Sequence, residues 1–150
     1  MSQRIGTNVD LYVVIADDDI EDHKLITRAV TDCDLNHIVS SVYNGSQLMN
    51  LLQKKEFYKS DNMRLPDLII LDLQMPIMNG FEVLEEIKNR NEFKGIPIFV
   101  LSDSIDDLDE TKAVTLGAKK FFTKPYSYTE IKSIMKGICE EAKEGKRPGS

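Results

Sequence analysis

Three observations predict an α/β fold, a doubly wound five-stranded parallel sheet with helices on both faces. Short apolar runs and helical patterns alternate five times along the chain. Three of the runs, Leu11–Ala16, Leu68–Leu71 and Ile96–Leu101, are nearly unbroken and rich in Val and Ile, as expected of strands buried on both faces. The chain is 150 residues long, the size of one domain with one core. Strict alternation of strand and helix requires right-handed crossovers, which distribute the helices over both faces of a parallel sheet.

The elements follow in order. Leu11–Ala16 reads as the first strand, and Leu25, Ile26, Ala29 and Val30 follow it at helical spacing. His37–Val42 is a weaker run that suits a less buried strand, followed by Leu48, Leu51 and Leu52 on a second helix. The polar stretch 54–66 reads as a surface excursion. Leu68–Leu71 and the stripe Val83, Leu84, Ile87 give the third pair, and 89–95 is a short polar connection. Ile96–Leu101 precedes a fourth helix marked by Ala113, Val114 and Leu116. Phe121–Thr123 is a second weak strand. Ile131, Ile134, Met135 and Ile138 then form the cleanest amphipathic stripe. Residues 1–10 are expected to be an N-terminal extension, 11–144 the domain and 145–150 a flexible C-terminal tail. Neither a repeat nor a second domain is visible.

Composition excludes several functions. Lys and Arg number 19 against 25 Asp and Glu, a net charge of −6. An acidic chain lacks the Lys/Arg surplus that phosphate neutralisation needs, so nucleic acid is not an expected partner. Neither a membrane-spanning run nor the apolar core of a secretory signal is present. Cys33 and Cys139 are too far apart in sequence for a zinc site and fit reduced thiols in a cytoplasm. With only His23 and His37, a His-rich metal centre is ruled out, and both read as surface or helix residues.

In an open parallel sheet, chemistry gathers outside the C-terminal strand ends, where strand order reverses. Asp17-Asp18-Asp19 follows the first run, Asp72 the third, Ser102 and Asp103 the fourth, and Lys124-Pro125 the fifth. Like charges at ~4 Å and an effective dielectric of ~20 repel by about 4 kcal/mol per pair. A hard divalent cation such as Mg²⁺ would offset that repulsion. Carboxylates, Mg²⁺, a lysine and a hydroxyl together suit in-line phosphoryl transfer, with an Asp carboxylate able to serve as nucleophile. Each element alone has a plainer reading. Asp19 suits a helix N-cap, Lys124-Pro125 a loop entry and Ser102 a turn. The combination at consecutive strand ends is what points to a site.

These residues resemble the receiver (CheY-like) domain of two-component response regulators. The matching pieces are Val-Val-Ile-Ala-Asp17-Asp18-Asp19, Leu-Ile-Ile-Leu-Asp72-Leu-Gln-Met-Pro76 with Met78-Asn79-Gly80, and Ile96-Pro97 through Ser102. Leu116-Gly117-Ala118 and Phe122-Thr123-Lys124-Pro125 complete the set, which runs from about Leu11 to about Glu141. The resemblance implies the flavodoxin-like (βα)5 receiver fold, with Asp72 as phosphoacceptor. It implies Mg²⁺ held by Asp18 directly, by Asp17 through water or as second acid, by Asp72, and by the backbone carbonyl of Gln74. Ser102 and Lys124 would contact the phosphoryl group, Phe121 would be the rotating switch aromatic, and the bond before Pro125 would be cis. Phe121 lacks a tyrosine hydroxyl, so a switch using it would be steric. Two departures stand out: the stretch 54–66 is long for the family, and Asp103 replaces a more usual small residue. The Asp103 carboxylate would either repel a phosphodonor or point to solvent or cap the next helix.

The expected function is a stand-alone, phosphorylatable response regulator rather than a metabolic enzyme. A sensor histidine kinase or phosphotransfer protein would be the donor. A downstream protein target or a homodimer would be reached through the fourth helix, fifth strand and fifth helix. That face carries Lys119, Lys120, Phe121, Tyr126, Tyr128, Lys132 and Lys136. The length leaves no room for an attached output domain. A Mg²⁺-dependent phosphatase would need a second Asp where Gln74 stands. A flavodoxin-like cofactor binder would need a phosphate-cradling loop where three aspartates stand. A degenerate receiver is disfavoured by the intact Asp18, Asp72, Ser102 and Lys124.

Overall fold

Every side chain of β1 (Leu11–Ala16) is buried, because the sheet is covered on both faces. The computed structural model describes residues 10–57 and 64–145, with the side chains of 55–57 outside the description. The strands are β1, β2 (His37–Val42), β3 (Leu68–Leu71), β4 (Ile98–Ser102) and β5 (Lys120–Thr123). They alternate with α1 (Ile20–Thr31), α2 (Gly45–Phe57), α3 (Gly80–Lys88), α4 (Asp107–Thr115) and α5 (Tyr128–Gly145). All pairings are parallel, in the order β2-β1-β3-β4-β5. The chain steps outward from β1 to β2, then returns to the other side of β1. The switch point therefore lies between β1 and β3.

The strand period of two splits the core. Leu11, Val13, Ile15, Leu68, Ile70, Phe99 and Leu101 face α1 and α5, meeting Ile26, Val30, Met135 and Ile138. Tyr12, Val14, Ala16, Ile69, Leu71, Ile98 and Val100 face the opposite side, where Leu48, Leu52, Val83, Ile87 and Ala113 of α2, α3 and α4 cover them. The weaker β2 and β5 are only partly buried, as their composition predicts.

Several expectations need correction. The stretch 54–66 is not all excursion. Helix α2 runs on to Phe57. Arg64 pairs with Asp67, whose carboxylate accepts the Tyr12 N–H at 2.7 Å, and Leu65 packs on the core. Residues 58–63 of that stretch lie outside the described residues. So do 1–9 and 146–150, with nearly all of the expected N-terminal extension and C-terminal tail. The connection 89–95 is not simply polar, because Phe93 is fully buried within it. On α4 only Ala113 is buried, while Val114 is exposed and Leu116 caps the helix. Lys132 and Lys136 line a groove between α1 and α5, which Cys33 and Cys139 also line as free thiols. Tyr128 turns the same way: its hydroxyl donates to Asp32 and its ring lies under Arg28. The basic and aromatic residues expected on one face are thus divided between two. The bond before Pro125 is trans, as is every described peptide bond. X-Pro bonds favour that form by about 0.5–1 kcal/mol. His23 takes the helix alternative of its reading, on α1, with its side chain buried rather than at the surface.

Candidate functional site at the C-terminal strand ends

The register of the sheet assembles the site. Ala16 pairs with Leu71, so the next residues, Asp17 and Asp72, leave adjacent strands side by side. The Asp72 amide still donates to the Ala16 carbonyl at 2.9 Å, and the Asp17 amide to Val42 at 3.2 Å. Ser102 pairs with Thr123, and Lys124 donates its N–H to the Ser102 carbonyl at 2.7 Å as it leaves the sheet. Asp19 is the N-cap of α1, accepting from the Glu21 amide, as its plain reading expects.

One lysine faces four carboxylates. The Lys124 Nζ lies 2.6 Å from Asp22 Oδ2, 3.0 Å from Asp17 Oδ2, 3.5 Å from Asp72 Oδ2 and 4.0 Å from Asp103 Oδ2. Asp17 and Asp72 are buried and Asp18 is exposed, yet one carboxylate oxygen from each comes within 4.8 Å of the other two. Burial pushes the Asp72 carboxyl up to about 7, helped by the neighbouring Asp17 charge and opposed by Lys124. Burial also raises Asp17, outweighing bonds from the Asp19 amide and Lys124. Burial alone would lower Lys124, but its bonds to Asp22 and Asp17 hold it above the usual lysine range. Two acids that resist ionising beside a third are a poor resting arrangement for carboxylates alone and a good donor set for a hard divalent cation.

Gln74, two residues after Asp72, donates its N–H to Asp72 Oδ1 at 3.4 Å and lines a cleft with Asp18. Ser102 is fully buried, and its Oγ accepts the Ser104 N–H at 3.2 Å. Phe121 is half-buried against the α2–α3–α4 side of the core. Asp103 is exposed and stands 4.0 Å from Lys124 Nζ; Asp106, not Asp103, caps α4. Opposite Asp72, α3 begins with an Asn79–Glu82 capping box, and Gly80 lies against the Asp72 carbonyl.

Sequence reasoning missed two residues. Asp22 makes the shortest contact to Lys124, and the His23 Nε2–H donates to the Asp17 carbonyl at 2.7 Å with its ring 4.7 Å from that of Tyr43. Both sit in the first turns of α1, where acids are expected simply to complement the helix dipole. Neither carries a motif of its own.

Comparison with known proteins identifies the family and the fold. The family description "Response regulator receiver domain" matches residues 13–136. The response regulator Rcp1 of Synechocystis is 28% identical over 132 residues, covering 88% of each protein. The Arabidopsis thaliana two-component response regulator ARR17 is 28% identical over 83% of this chain and 82% of its own length. The match to the Helicobacter pylori sensor histidine kinase CheAY is 25% identical over 83% of this chain, but only 15% of that longer protein. Among solved structures, the phosphorylated cyanobacterial phytochrome response regulator RcpA superposes with a TM-score of 0.81 at 33% identity, covering 93% of this chain and 99% of RcpA. The Mn²⁺-bound form of Rcp1 superposes with a TM-score of 0.75 at 28% identity, over 85% of this chain and 91% of that one. With its strand order, its acidic switch point and a family match from 13 to 136, the chain belongs to the response regulator receiver domain family of two-component signalling.

Proposed function

We propose that the chain is a response regulator receiver that accepts a phosphoryl group on Asp72. The observation that carries this reading is the convergence of Asp17, Asp18, Asp72 and Lys124 at the switch point, with Asp72 held near neutrality by burial. The description of RcpA as phosphorylated and of Rcp1 as Mn²⁺-bound supports both the modification and a divalent ion.

Asp17, Asp18 and Asp72 would hold the ion, with the Gln74 carbonyl as a further ligand; Mg²⁺ is the proposed occupant. When bound, the ion neutralises charge on the phosphoryl oxygens. The ionised Asp72 carboxylate attacks phosphorus. An O–P bond forms, the N–P bond of a donor phosphohistidine breaks, and its electron pair returns to the imidazole nitrogen. Lys124 supplies positive charge to the transferred group, and the Ser102 hydroxyl can donate to it while its oxygen accepts from Ser104. Inward movement of Ser102 would release Ser104 and bias the β4–α4 connection, with Phe121 following sterically.

Each strand-to-helix junction carries an exposed large apolar side chain: Ile20, Tyr43, Ile77, Ile105 and Tyr126. An acidic mouth with an apolar rim favours a protein donor, a histidine kinase or phosphotransfer protein, over a small phosphate ester. Exposed Leu108 and Val114 on α4, with Lys119 and Lys120 paired to Glu141 between β5 and α5, support the α4–β5–α5 face as the output surface for a protein target or a second copy. No described helix is long and apolar enough to cross a membrane.

The test is incubation with acetyl phosphate or phosphoramidate and Mg²⁺, followed by intact-mass measurement. The wild-type chain gains one phosphoryl mass and Asp72→Asn does not. Asp18→Asn loses Mg²⁺ affinity. An unmodified wild-type chain, or a gain that survives in Asp72→Asn, sinks the proposal.

A further inference from the structure

The shortest contact in the site belongs to a residue outside the set of acids able to share a metal. Asp22 Oδ2 accepts from Lys124 Nζ at 2.6 Å, while Asp72 Oδ2 is 3.5 Å away. Among the described residues, the carboxylates that cluster tightly enough to share an ion are Asp17, Asp18 and Asp72, without Asp22. Asp22 sits instead on the outer side of the ammonium, its side chain 23% exposed against 6% for Asp72. Helix α1 fixes it there: Asp19 caps the helix, and Asp22 falls in the first turn, where the positive end of the dipole favours a carboxylate.

A lysine ammonium has three N–H donors and moves on a flexible stem. In the resting protein its shortest bond is to Asp22 at 2.6 Å, with Asp72 at 3.5 Å. A phosphoryl group on Asp72 presents more negative charge and more acceptor oxygens than the carboxylate it replaces. Asp22 and that group would then draw on the same ammonium. We propose that Asp22 is a positioning residue. It holds Lys124 back in the resting state and competes with the phosphoryl group for the ammonium, so that it sets how strongly the loaded state is stabilised. This rests on the reading of Asp72 as the acceptor.

Beryllofluoride, a stable mimic of an acyl phosphate, gives an equilibrium readout at saturating Mg²⁺. Asp22→Asn is expected to bind it about tenfold more tightly than the wild-type chain, within the usual range for coupled sites. In a Lys124→Ala background the same substitution should change affinity by less than about twofold, because the effect travels through the ammonium. Asp22→Glu, which keeps the charge, should return affinity toward wild type. A purely structural ion pair would lower the melting temperature on Asp22→Asn without tightening beryllofluoride binding, and that result overturns the proposal. An equal gain with and without Lys124 also overturns it, since it would reflect direct repulsion of the anion. A second measurement needs no variant: the ¹⁵N signal of the Lys124 ammonium in the wild-type chain should move on beryllofluoride addition, and a static signal is contrary to the proposal. A wild-type chain that binds no beryllofluoride removes the Asp72 reading and this inference together. Binding with no response to Asp22→Asn removes this inference alone.

Discussion

A buried histidine with one ring nitrogen on a backbone carbonyl has a defined task. His23 Nε2–H donates to the Asp17 carbonyl at 2.7 Å, and the carbonyl can only accept, so the proton must sit on Nε2. The bond fixes the backbone from which the Asp17 carboxylate projects into the site. His23→Leu would leave that carbonyl unpaired and should cost about 1–3 kcal/mol, read as a lower urea midpoint. His23→Gln, which can restore an N–H donor, should recover part of it; equal losses in both variants would show that ring packing on Tyr43 matters more. Residues of this kind are hard to read from sequence. His23 and Asp22 lie on a helix whose periodicity reveals only its buried face. Their partners are fixed by tertiary approach, and Lys124 is 102 positions from Asp22. Asp17, Asp18, Asp72, Ser102 and Lys124 were legible because each directly ends or follows an apolar run, and strand ends in a parallel sheet converge.

At the scale of elements, β3 and α3 meet at a close joint. A Cβ added at Gly80 would come 2.5 Å from the Asp72 carbonyl oxygen and 2.7 Å from Leu73 Cα, both backbone atoms with little room to yield. The Gly80 amide donates to the Leu73 carbonyl at 3.0 Å, so helix start and strand end are already bonded. Gly80→Ala should therefore destabilise by about 1–3 kcal/mol in denaturant titration, although alanine is the better helix former. Unchanged or higher stability would mean that α3 can shift freely against the sheet. The elements themselves were readable where burial is two-sided: β1, β3 and the core of β4 coincide with unbroken runs. Where burial is partial, pattern says less. Helix α4 hides only Ala113, so its apolar positions carry no clean stripe, and Val114 lies exposed. Phe93 escaped notice because a single core side chain inside a polar turn has no period at all.

For the whole molecule, the acidic edge makes stability depend on pH in an unusual sense. Burial and the Asp17 charge raise the Asp72 carboxyl from 3.8 to about 7 in the folded chain, and Asp17 is shifted the same way. A raised carboxyl binds its proton more tightly folded than unfolded. Its contribution to stability is complete below the unfolded value and is lost as pH rises through the folded value. Without a divalent ion, the chain should thus lose stability from Asp72 between about pH 4 and pH 7, with Asp17 acting in the same direction, where ordinary carboxylates give no such loss. A divalent ion binds the ionised form, so its affinity should fall by up to about tenfold for each unit of pH below 7. The stabilisation that Mg²⁺ provides should accordingly be larger at about pH 8 than at about pH 6. Urea midpoints with and without Mg²⁺ at the two pH values check this, and Asp72→Asn should flatten both the pH dependence and the Mg²⁺ response. Equal Mg²⁺ stabilisation at both pH values in the wild-type chain would contradict the linkage. The net charge of −6 is then more than a solubility term, because the carboxylates gathered around Lys124 would couple folding to the proposed ion binding and phosphoryl acceptance through one protonation equilibrium.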